Sequence, residues 1–125
     1  MNEKRLYAIR GAVCCENTVQ SITENVGKMC ETLFKKNNVQ SQDMVSIHFT
    51  MTNDLNVINA ATALRKSNCS VDTSKVALFV SQEAQILGML PKTIRILLSV
   101  YLPENSKIQA VYLNGAEKLR PDFCD

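Results

Sequence analysis

The chain has 125 residues, of which 46% are hydrophobic and 21% charged, with a formal net charge of +2. That length supports one buried core across residues 1–125, and the composition excludes a disordered or collagen-like chain. A surplus of two positive charges, with no block of five like charges, argues against nucleic acid or a membrane surface as a partner.

In chain order, residues 6–15 (LYAIRGAVCC) are apolar and open with β-favouring types, which predicts a strand. A helix follows, with Asn17 as its N-cap and Gln20 at the capping-box position. Val19, Ile22, Val26, Met29 and Leu33 recur at three- and four-residue spacing, Lys35-Lys36 suit its negative end, and Asn37-Asn38 can close it. Residues 44–52 (MVSIHFTMT) predict a second strand, and residues 54–66 a short helix capped by Asp54. Strands are expected at 75–82, 92–101 and 107–113, before an Asn114-Gly115 turn. The order β-α-β-α-β-β-β predicts an α/β or α+β mixed five-stranded sheet with helices on one face. The other face needs cover, which a homo-oligomer supplies.

Residues 1–5 are polar with no apolar leader after them, and no apolar run reaches the roughly 20 residues that span a bilayer. The five cysteines, Cys14, Cys15, Cys30, Cys69 and Cys124, lack paired spacing, and His48 is the lone histidine. The expectation is a reduced, cytoplasmic protein with no metal or other cofactor. His48 reads as structural.

Chemistry enters through polar residues set in apolar strands. Arg10 lies in YAIRGA, Arg95 in TIRILL, Tyr112 in AVYL, and Glu83 just past VALFVS. A guanidinium stays charged, so two strand arginines suggest a convergent anion site, unless each faces solvent. Glu83 could be an internal counter-charge or an acceptor.

The segments AIRGA, ENT, FTMTNDLN, QE, IR and VYLNGAEKLRPD, in this order and at these separations, resemble the monofunctional chorismate mutases of the trimeric pseudo-α/β-barrel type. That resemblance implies rearrangement of chorismate to prephenate, within phenylalanine and tyrosine biosynthesis, in a homotrimer with sites between subunits. It implies Arg95 on the ether oxygen, Arg10 and Tyr112 on the side-chain carboxylate, and Glu83 on the ring hydroxyl. Arg65 would reach into a neighbouring subunit's site, and Leu119 and Arg120 would belong to a closing C-terminal tail.

The chain departs from the family pattern TPDL..AFPAKAAR. Asn53, Asn59, Ala60 and Thr62 stand where Pro, Phe, Pro and Lys are usual, and Val80 replaces a cysteine beside the substrate. Asn59 removes an apolar wall and Thr62 a cation, which predicts weaker substrate binding with the ether-oxygen chemistry retained. Two alternatives stay open at this point: a non-catalytic, mutase-like ligand binder, and a Rid-type imine or enamine deaminase of similar trimeric fold.

Overall fold

Alternation along β1 (Lys4–Cys14) sets the two faces of the sheet, with Ile9 and Val13 buried and Leu6, Ala8 and Arg10 exposed. The computed structural model describes residues 3–120. After β1 come α1 (Val19–Lys36), a 3-10 turn (Ser41–Asp43), β2 (Met44–Met51), α2 (Ala60–Lys66) and β3 (Ala77–Gln82). β4 (Thr93–Pro103), β5 (Val111–Leu113) and a second 3-10 turn (Ala116–Leu119) complete the described fold. The five strands form one mixed sheet in the order β3-β2-β4-β1-β5. β4 runs antiparallel to both β1 and β2, while β1/β5 and β2/β3 are parallel pairs. The expected element order and the α+β class both hold.

Ile22, Val26, Met29, Cys30, Leu33 and Phe34 form the buried stripe of α1. They pack on Ile9, Val13, Ile47, Phe49, Ile94, Ile96 and Leu98 of the sheet, with Ala60, Ala63 and Leu64 of α2 in the same core. Both helices therefore cover one face. The other is left with Leu6, Phe79 and Tyr101 exposed at 49%, 68% and 43%. Among the described residues, the β5 end of this outer face is roofed, where Ala12, Tyr112 and Ala116 are buried together with Leu119 packed against them. No helix among the described residues is long and apolar enough to cross a membrane.

Several local expectations are corrected. The N-cap of α1 is Thr18, whose Oγ1 accepts from Ser21 N at 3.0 Å. Asn17 is otherwise engaged, donating to Asn56 Oδ1 at 2.8 Å and accepting from Asn56 N at 3.0 Å. Gln20 bonds Glu24 at 3.2 Å rather than closing a capping box. The second helix starts at Ala60 under an Asn59 cap, not at Asp54. Asp54 is unavailable as a cap because its carboxylate accepts from Lys92 N at 3.0 and 3.2 Å and from Thr52 Oγ1 at 2.5 Å.

β5 is also shorter than expected, for residues 107–110 stay outside it. There the buried Asn37 side chain captures the backbone of Gln109, donating to its carbonyl at 2.9 Å and accepting from its N–H at 2.7 Å. The same amide donates to Leu33 O at 2.9 Å, so one side chain both ends α1 and aligns the approach to β5.

Candidate active site

Strand register builds the site. Thr50 on β2 pairs with Arg95 on β4, Arg95 with Ala12 on β1, and Ala12 with Tyr112 on β5. Side chains in such a row share one face, here the face away from the helices. The next row along sets His48 opposite Leu97 and Leu97 opposite Arg10. Ala12 is the short member of the first row, and Tyr112 and Ala116 pack with it. Beneath this floor the chains lie close together: a Cβ on Gly11 would stand 2.9 Å from Val111 O and 3.0 Å from Ile96 Cγ2. Glycine is required there for packing.

Glu83 arrives from the end of β3, where its N–H donates to Met51 O at 2.8 Å and extends the parallel ladder by one bond. Its carboxylate turns toward the row. Thr50 Oγ1 donates a hydrogen bond to Glu83 Oε2, and Arg95 Nε lies 3.8 Å from the same oxygen. Half of the Arg95 side chain remains exposed, against 24% for Glu83. The guanidinium is thus held on one side and open to a ligand on the other.

Upstream, the start of β4 is clamped by a buried threonine pair. Thr93 N donates to Thr52 Oγ1 at 3.0 Å, and Thr52 N donates to Thr93 O at 3.1 Å. Two residues further along β4 is Arg95, so its strand enters the site already fixed.

Together these residues enclose a cleft of about 300 Å³ lined by Arg10, Gly11, His48, Thr50, Glu83, Arg95, Ile96, Leu97, Tyr112, Leu119 and Arg120. Its lining carries three guanidiniums and one carboxylate beside the polar His48, Thr50 and Tyr112, a cationic excess that suits a small ligand with more than one negative charge. Two features of His48 fix its ring at the wall: a 2.6 Å hydrogen bond between Nε2 and Ser81 Oγ, and an edge-on contact with Phe79 at 5.4 Å between centroids.

The structure brings together Arg10, Arg95, Glu83, Tyr112, Leu119 and Arg120 in one cleft. It does not bring the remaining sequence candidates there. Asn59 caps α2 by accepting from Ala61 N at 2.8 Å, and α2 packs on the helix-covered face, so Asn59, Thr62 and Arg65 lie across the sheet from the cleft. Val80, in register with the core residue Phe49, packs against the helix-side core. Sequence reasoning missed Thr50 as a cleft residue and read His48 as structural only. The period-two pattern of IHFTM carries the signal, because it puts residues 48 and 50 on the face opposite Ile47 and Phe49.

The family model for chorismate mutase type I matches residues 6–123. The chain belongs to this family. It is 30% identical over 119 residues to chorismate mutase AroH of Thermus thermophilus, covering 92% of this chain and 93% of that protein. Against chorismate mutase AroH of Bacillus subtilis (strain 168) it is 30% identical over 121 residues, covering 94% and 92%. A solved chorismate mutase from Clostridium thermocellum superposes with a TM-score of 0.80 at 34% identity, covering 90% of this chain and 98% of that one. The chain is accordingly a chorismate mutase, an isomerase of aromatic amino-acid biosynthesis. The resemblance seen in the IRGA and VYL…LRPD segments identifies the family correctly, and the deaminase alternative falls away.

Proposed function

We propose that the cleft over β1, β4 and β5 is where chorismate rearranges to prephenate. The observation that carries this reading is the approach of Arg95 to Glu83, 3.8 Å apart, in the same cleft as Arg10 and Tyr112. The reaction is intramolecular: the ether C–O bond breaks while a C–C bond forms, and no atom or proton leaves. It needs the flexible dianion held in its reactive conformer and negative charge stabilised on the ether oxygen.

Each side chain then has a part. Arg95 donates to the ether oxygen, where charge builds as the bond lengthens. Arg10 holds the side-chain carboxylate with help from the Tyr112 hydroxyl, and Glu83 accepts from the ring hydroxyl. Leu119 and Arg120, on the segment that roofs the cleft, close over the bound ligand. A fixed donor set of this kind requires no reorganisation as the charge develops, which is why it lowers the barrier.

The active assembly is a homotrimer with the cleft completed by a neighbouring copy. Support comes from the uncovered outer face, whose exposed Leu6, Phe79 and Tyr101 need a partner surface. From that copy come Asn59, Thr62 and Arg65 of α2. The enzyme works in the cytoplasm, in keeping with Cys14, Cys15, Cys30 and Cys69, which are all unpaired thiols.

A complex with an oxabicyclic dicarboxylate that mimics the transition state tests the reading. The expected result is Arg95 within hydrogen-bond distance of the bridging ether oxygen, with Arg10 on a carboxylate. An analogue bound elsewhere, or with Arg95 turned into solvent, would overturn it.

A further inference from the structure

We propose that Thr50 is a positioning residue for Glu83, selecting which carboxylate oxygen faces the substrate. This inference rests on the role given above to Glu83 as acceptor of the ring hydroxyl. The problem it addresses is local. Glu83 sits one residue beyond β3, an edge strand, and is followed by a loop through residues 84–92. Its backbone is tied by the bond to Met51 O, but three rotatable side-chain bonds separate that anchor from the carboxylate.

Thr50 removes this freedom. Its hydroxyl donates to Oε2, the same oxygen that Arg95 Nε approaches at 3.8 Å. Both internal contacts thereby fall on one oxygen. Oε1 accepts no hydrogen bond within the described residues and is the oxygen left to receive a donor from the ligand.

Two details make Thr50 suited to this. It lies directly opposite Arg95 in the β2/β4 register, so one cross-strand pair aligns both partners of the carboxylate. Its side chain is β-branched and therefore stiff at χ1, which holds the hydroxyl in place on a central strand. Ser81, the register partner of Thr50 on β3, is meanwhile bound by His48 at 2.6 Å. Two successive diagonal bonds, His48 to Ser81 and Thr50 to Glu83, thus pin the end of the edge strand to β2.

The test is turnover of chorismate by the full chain carrying Thr50→Val, Thr50→Ser, Glu83→Ala, or Thr50→Val with Glu83→Ala, each checked for folding by circular dichroism. Valine keeps the shape and removes the hydroxyl, so kcat/KM should drop about tenfold, the scale of one hydrogen bond to a charged group. Serine restores the donor and should recover most of that loss. In the Glu83→Ala background the same valine should cost less than about twofold, because the partner is already gone.

An equal loss from valine in both backgrounds would show that Thr50 acts through strand structure, and would overturn the proposal. So would full activity of Thr50→Val beside a collapsed Glu83→Ala, which leaves the reading of Glu83 standing. Wild-type turnover by Glu83→Ala would instead overturn that reading and this inference with it. If the valine variant does not fold, Thr50→Ala serves the same comparison.

Discussion

Arg10 and Arg95 emerge on the same face of adjacent antiparallel strands, with Arg10 paired to Leu97 and Arg95 to Ala12 in the β1/β4 register. The two residues are thus a diagonal pair, set by backbone hydrogen bonds. Their backbone positions do not depend on a loop. In the proposed reading, a small dianion that bridges both side chains gives up its own conformational freedom on binding.

The altered wall of α2 predicts a defect in binding that can be repaired. Thr62→Lys restores the cation usual in the family and leaves the Asn59 cap in place. KM for chorismate should fall by about tenfold, the worth of one charge-assisted hydrogen bond to a carboxylate, with kcat little changed. Asn59→Phe should also lower KM, but it removes the bond to Ala61 N at 2.8 Å and should cost about 1 kcal/mol of stability. Steady-state kinetics beside thermal melts separate the two effects. Unchanged KM in both variants would mean that α2 does not form a wall of the site.

The shared-site reading predicts that assembly and activity are lost together. Tyr101 lies opposite Leu6 on the outer face, 43% exposed and six residues along β4 from Arg95. Tyr101→Glu places a carboxylate where an apolar interface would have to desolvate it. Light scattering should show a monomer with a native circular dichroism spectrum and little turnover. A monomer with full activity would mean that one chain suffices.

Alkaline pH should weaken the fold through Cys15. Burial first, then the neighbouring Cys14, Glu16 and Asp54, raise its thiol from 9.0 to about 11. Because the folded value lies above the unfolded one, the neutral thiol's contribution is complete below pH 9 and is lost as pH rises toward 11. Urea unfolding midpoints should therefore decline across that window, and less steeply in Cys15→Ala. Parallel declines in the two proteins would show that other groups account for the loss.

Much of this was legible in the sequence, for reasons specific to each part. The α1 stripe is an amphipathic period that tertiary contacts reinforce, and β4 reads as a strand because Ile94, Ile96, Leu98 and Val100 alternate toward the helices. Arg10 and Arg95 stood out because a charge inside an apolar strand needs a reason. Three of the errors share one cause, competition for polar groups by partners distant in sequence. Asn17 is claimed by Asn56, Asp54 by Lys92, and the approach to β5 by Asn37. Local capping rules cannot foresee such claims. Thr50 was overlooked because its role exists only once β2 pairs with β4 and β3 delivers Glu83 beside it.

The central claim is that a fixed, planar cation steadies the oxygen of the breaking ether bond, and single-turnover rates of Arg95→Lys and Arg95→Ala test it most directly. Loss of the guanidinium should slow the rearrangement step by at least about 100-fold, the scale for one oxyanion donor. Lysine should recover little of it, since a flexible point charge does not reproduce the fork geometry held beside Glu83. A lysine variant that turns over chorismate at close to the wild-type rate would contradict the account.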